Sequence, residues 1–174
     1  MSRPGKDGSA DMVTIRDLLQ DSLIIEEITA QDKMGVLREF ARLLKSKGKI
    51  DSEEELIRVL SERETLGSTG VGDGVAIPHG KLHSIPEMIV AFGRSRGGVD
   101  FQSLDAKPVF LFFLLVTPND KPGEHLKALA RISRILKNPA LRSDLIQASR
   151  RQDMQKLIYE EDSKYPQPQP IQRK

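Results

Sequence analysis

Residues 109–116 read VFLFFLLV, an apolar run with no polar interruption. A strand with one wet face would alternate apolar and polar residues. A membrane span would need about 18 or more apolar residues. The run does neither, so it is read as a strand covered on both faces, with layers of structure on each side. Upstream, MIVAFG at 88–93 is a second β-prone segment. Downstream, PNDKPG at 118–123 predicts a turn. Leu126, Leu129, Ala130 and Leu136 then mark a helix to about Lys137. Asn138 is expected as the N-cap of a further helix with Pro139 at its first position. Met154–Tyr159 is a last helical segment.

On the N-terminal side, Val36, Leu37, Phe40, Ala41, Leu43 and Leu44 recur at helical spacing. Gly48 is placed to close that helix, and Lys45 and Lys47 suit its negative end. Ser52 with Glu55 is a capping box opening a helix through Leu56, Ile57 and Leu60. LIIEEI at 23–28 predicts a short strand. Helices on either side of the strands define an α/β layered fold. The boundaries expected are a polar leader at 1–10, one domain at 11–163 and a Pro/Gln-rich tail at 164–174.

Composition narrows the chemistry. The chain has 174 residues, 38% apolar and 30% charged, a globular composition of one-domain size. It has no cysteine, which removes disulfides, thiolate metal sites and cysteine nucleophiles. With 27 Lys and Arg against 25 Asp and Glu, the charge is too even to argue for nucleic acid. No secretory leader or membrane-length run is present, so the expected setting is cytoplasmic, without membrane insertion.

The segment GSTGVGDGVAIPHG, 67–80, holds five glycines in fourteen residues and predicts a loop with at most one short strand, Val75–Ile77. His79 closes it. Pro78 restricts the chain before the ring, and Gly80 leaves room after it for an incoming group. The end of a strand is where α/β folds place ligand sites. His79 and His83 are four apart, which leaves a metal reading open. Against it, Gly80 replaces the glutamate of the zinc-protease helix motif. Two nucleotide motifs fail outright. Val75 and Ile77 stand where the dinucleotide fingerprint needs glycine, and Leu82 and Ile50 follow the two Gly-Lys pairs where a P-loop needs Ser or Thr. Ser68 lies in no nucleophile elbow. His125 opens a helix whose positive end favours a neutral ring able to donate one N–H to an oxyanion. An exposed first-turn histidine is the alternative. Arg63, in Glu62-Arg63-Glu64, is either a guanidinium that folds over an anion or a helix end with local ion pairs.

The stretch ETLGSTGVGDGVAIPHG, 64–80, resembles the phosphohistidine signature of the mannitol/fructose-type enzyme IIA domains of the bacterial sugar phosphotransferase system. Glu64, Val71, Gly72, Val75, Ala76, Ile77, Pro78, His79 and Gly80 fill every position of that pattern. The wording GSTGVGDGVAIPHGK is most similar to the nitrogen-regulatory enzyme IIA subgroup, and the resemblance covers about residues 12–160. It implies a mixed β-sheet flanked by helices on both faces. It also implies a phosphotransferase without cofactor, in which His79 accepts a phosphoryl group through Nε2 from an HPr-type histidine phosphocarrier protein. His125 matches the second active-site histidine, and Arg63 the arginine before the glycine loop. Backbone N–H groups around Ser68, Thr69 and Gly80 are expected to receive the phosphoryl oxygens, because phosphoryl transfer is assisted chiefly by donors already in place. The expected role is mainly regulatory, through target proteins, since no transporter or IIB segment is attached. The alternative is a sugar-specific component that passes phosphate to a separate IIB subunit.

Overall fold

The computed structural model describes residues 14–166. In chain order the elements are α1 (Ile15–Leu18), a 3-10 turn (Asp21–Leu23), β1 (Ile24–Ile25), α2 (Lys33–Ser46), α3 (Glu53–Thr65), β2 (Gly70–Gly72), β3 (Val75–Ala76), β4 (His79–Leu82), β5 (Ile89–Val99), β6 (Val109–Pro118), α4 (Pro122–Ile135), α5 (Pro139–Gln147) and α6 (Arg151–Ser163). The leader expected at 1–10 lies outside the described residues, as does the tail beyond 166.

The apolar run becomes β6, and all of its residues but the half-buried Phe110 are buried. The sheet runs β1-β5-β6-β3-β2, with β4 also on β6. β5 pairs with β6 antiparallel, while β3 and β4 follow one another along its other edge in parallel. Pro78, which has no N–H to give a ladder, sits at the break between them. The sheet is therefore mixed, as the resemblance implied. Neighbouring residues on β5 show that both faces are covered, because successive side chains point to opposite sides. A Cβ on Gly93 would meet Ile28 and Phe40 of α2 at 2.7 and 3.1 Å. The next residue, Arg94, donates to the carbonyls of Leu145, Ile146 and Ala148 at the end of α5. Helices thus pack on both faces. Among the described residues no helix is long and apolar enough to cross a membrane.

Caps fall where the residue types require them. Ser52 accepts from Glu55 N, and Asn138 from Ala140 N with Pro139 at the first position of α5. Gly48 takes φ +68° after α2. Three expectations need correction. Of the 23–28 segment only Ile24–Ile25 pairs, and Leu23 belongs to the 3-10 turn. The glycine stretch is more ordered than a loop. β2 and β3 form a hairpin whose turn, Asp73-Gly74, has φ +57° and +75°, both in the left-handed range that a two-residue type I′ turn demands. Finally, the buried stripe of α4 is His125, Ala128, Ile132 and Ile135, while Leu126 is 67% exposed. Of the residues that marked this helix, Leu136 is buried and Leu129 packs against the core, whereas Leu126 faces outward.

Candidate active site

The site forms where α3, β4 and α4 meet the end of β6. Gly80 explains how α3 comes so close. A Cβ there would lie 2.5 Å from Cγ1 of Val59, so glycine lets β4 press against the helix. This corrects the expectation that Gly80 leaves room for an incoming group, because Val59 takes that room. One turn beyond Val59, on the same face of α3, is Arg63. Its Nε donates to His79 Nε2 at 3.1 Å, and its Nη1 donates to the Gly67 carbonyl at 2.9 Å.

The opposite nitrogen of His79 sets the tautomer. Nδ1 lies 2.8 Å from the Ile77 carbonyl, which can only accept, so Nδ1 carries the proton. Nε2 is then a lone pair, as its contact with an Arg N–H independently requires. His79 is the first residue of β4 rather than the last of the Val75–Ile77 strand, and it is half-buried. Burial lowers its pKa most. The Ile77 bond opposes this, Arg63 lowers it further, and Glu64 raises it.

His125 stands across from it, with ring centroids 5.4 Å apart and planes at 56°. It is 6% exposed, so the exposed first-turn alternative is set aside. Its Nδ1 is 2.7 Å from the Thr117 hydroxyl. Burial, then His79 and Lys81, push its pKa down to about 4. Two neutral imidazoles therefore face each other beside a guanidinium.

The glycine loop is pinned from below. The buried Glu64 carboxylate accepts from Thr69 N at 3.0 Å and from the Thr69 hydroxyl, and it pairs with Lys33 Nζ at 3.0 Å. Lys33 also lies over the Phe101 ring. Thr69 thus has its N–H and O–H engaged by Glu64 and offers no free donor to a ligand, which corrects its expected place among the phosphoryl contacts. Gly80 is corrected likewise. With Leu115 N donating to Pro78 O, the parallel register turns the Gly80 N–H toward Leu115. Ser68 stays at the loop's rim, its hydroxyl accepting from Gly70 N and donating to Phe101 O at 3.4 Å. His83 lies apart, 3.6 Å from Glu55 with its side chain 77% exposed. The four-residue metal pair is poorly suited to a cation, since both His79 nitrogens are engaged and Arg63 faces the lone pair. Lys33 and Thr117 escaped sequence reading. The only hint for Thr117 was a polar residue closing an apolar strand.

A neutral ring nitrogen beside a guanidinium, with a second neutral ring at hand, is an arrangement chemically able to attack an anionic electrophile. Comparison with known proteins gives this chemistry a setting. The family model for "Phosphoenolpyruvate-dependent sugar phosphotransferase system, EIIA 2" matches residues 17–161. A fructose-specific EIIABC component of Bacillus subtilis is 34% identical over 148 residues, 85% of this chain, which spans 23% of that protein's length. A nitrogen regulatory protein of Bradyrhizobium diazoefficiens is 41% identical over 125 residues, 71% of this chain and 80% of that one. The crystal structure of nitrogen regulatory protein IIA-Ntr from Neisseria meningitidis superposes with a TM-score of 0.78 at 33% identity, covering 83% of this chain and 98% of that one.

Proposed function

This chain belongs to the EIIA 2 family of the phosphoenolpyruvate-dependent sugar phosphotransferase system and is a phosphoryl carrier, and from that premise we propose that His79 carries the phosphoryl group on Nε2. The observation that supports this most is the pair of bonds on its ring, Nδ1–H to Ile77 O and Arg63 Nε–H to Nε2. The nucleophile is already deprotonated, so no general base is needed.

In the transfer, the Nε2 lone pair forms the new N–P bond while the N–P bond of the donor's phosphohistidine breaks. The electron pair of that bond returns to the donor imidazole. The Nδ1 proton stays on His79, held by the Ile77 carbonyl. Arg63, which occupies the lone pair at rest, shifts onto the phosphoryl oxygens as the bond forms, and His125 donates to them from the other side. The transition state is loose and spreads charge over its equatorial oxygens, so these prepositioned donors supply most of the assistance.

The donor is an HPr-type phosphocarrier. Leu66, 83% exposed, follows Arg63 closely, and the exposed Leu126 follows His125. They give the donor an apolar rim on which to dock beside the reactive ring. The likeness to nitrogen regulatory proteins favours a regulatory output in the cytoplasm, where added phosphoryl charge alters which target proteins bind. The fructose-specific likeness supports the second reading, onward transfer to a IIB subunit.

The test is incubation with phosphoenolpyruvate, enzyme I and the carrier, followed by mass spectrometry under alkaline conditions. The expected product is phosphorylated at His79 alone, and His79→Ala takes up nothing. Phosphoryl uptake by that variant refutes the assignment. Adding a IIB subunit then separates the two outputs, because only the second reading moves the label onward.

A further inference from the structure

Thr117 is fully buried near the end of β6. Among the described residues its hydroxyl has one hydrogen-bond partner, His125 Nδ1 at 2.7 Å. A neutral imidazole has one N–H and one lone pair, and a hydroxyl has one hydrogen and two lone pairs. Were Nδ1–H the donor, the Thr117 hydrogen would be left in a buried position with no acceptor among the described residues. If the hydroxyl donates, only lone pairs go unfilled. An unmade buried donor is the costlier of the two faults. The hydroxyl therefore donates to Nδ1, and the single ring proton of His125 stands on Nε2, the nitrogen not tied to the core.

The same contact fixes where that ring lies. β4 and β6 run in parallel register, His79 opposite Leu115 and Lys81 opposite Thr117. The ladder thus sets the separation between the residue bearing the nucleophile and the residue gripping His125. The grip holds the two rings 5.4 Å apart.

We propose that Thr117 is a positioning residue of the phosphoryl site: it holds His125 as the Nε2–H tautomer at a distance set by the β4–β6 ladder, so that an N–H rather than a lone pair meets the phosphoryl oxygens. This rests on the carrier reading above. A lone pair turned toward an anion would repel it, whereas an N–H arrives as a donor needing no rearrangement.

The experiment has two parts. The first is nitrogen-15 NMR of the unphosphorylated protein, which reads the His125 tautomer without any transfer. Nε2–H is expected, with Nδ1 as a hydrogen-bonded acceptor, and Nδ1–H overturns the proposal. The second is the rate of phosphoryl uptake from the phosphorylated carrier. Thr117→Val keeps the volume and loses the hydroxyl, while Thr117→Ser does the reverse. Val is expected to lower the rate at saturating carrier by about 10- to 100-fold, the scale on which losing the partner that orients a functional histidine acts. Its half-saturating carrier concentration is expected to stay unchanged. Ser is expected to keep most of the rate. In a His125→Ala background, Thr117→Val is expected to add nothing. A packing role gives the opposite order, with Ser impaired and Val active, and overturns the proposal, as does a further loss in the His125→Ala background. Wild-type protein that takes up no phosphoryl group overturns the carrier reading itself, whereas normal uptake with Val equal to wild type overturns the role of Thr117 alone.

Discussion

At the scale of single residues, protonation decides whether His79 can fill the role proposed for it. An ordinary histidine is half-protonated near about 6.5. Burial first, and Arg63 next among the lowering influences, place the His79 pKa below its ordinary value. Phosphoryl uptake is therefore expected to hold steady as pH falls through about 6.5 and to decline only below it. Arg63→Ala removes one lowering influence, so the acid limb of a rate profile should move up toward about 6.5. The plateau should drop by about 10²–10³-fold, as for loss of one charge-stabilising donor. A wild-type limb in that variant would mean the guanidinium does not act on the ring. His125 gives a stability counterpart. Its folded pKa of about 4 lies below the unfolded value, so the unfolded chain binds the proton first. The stability due to its neutral form is whole above about 6.5 and is lost as pH falls toward about 4. Urea titrations of wild type and His125→Gln at pH 7 and 5 should show a smaller pH effect in the variant.

At the scale of elements, the site depends on how closely α3 approaches β4. Gly80→Ala drives a Cβ against Val59 and is expected to destabilise by about 1–3 kcal/mol, the range for overpacking. Val59→Ala creates the missing space. The double variant should be more stable than the sum of the two single losses predicts, since the residues touch. Strict additivity in chemical denaturation would show that the clash is relieved elsewhere. Uptake in Gly80→Ala should also slow, because Arg63 reaches His79 only from a helix seated at this depth.

At the scale of the whole molecule, Arg94 ties the sheet to the helices on its second face. Its side chain is 3% exposed, yet it satisfies three carbonyls at the end of α5 and lies 3.7 Å from Glu27. Arg94→Met keeps the stem and strands those acceptors, at an expected cost of about 3 kcal/mol or more in denaturant unfolding. A smaller loss would mean water replaces the guanidinium. The outer surface makes the converse prediction. Leu126→Asp changes no buried contact, so the midpoint of unfolding should hold. The carrier concentration needed for half-maximal uptake should rise, because a charge replaces part of the apolar rim.

What could be read from residues in order was whatever depends on near neighbours. Covered strands, caps at Ser52 and Asn138, and the Pro-His-Gly setting of His79 are local patterns, and each left a local mark. The hairpin turn at Asp73-Gly74 was legible too, as an Asp-Gly pair, but the density of glycines hid it. The rest arose from contacts between distant segments. His125 became a core-facing neutral ring because α4 turns it toward Thr117. The donors of Thr69 were taken by Glu64, the Gly80 N–H was turned toward Leu115 by the β4–β6 register, and Lys33 entered from α2. Local propensity follows from each side chain's own shape and hydrogen-bonding groups. Which donor meets which acceptor across the fold follows from packing, and packing has no record in the spacing of residues along the chain.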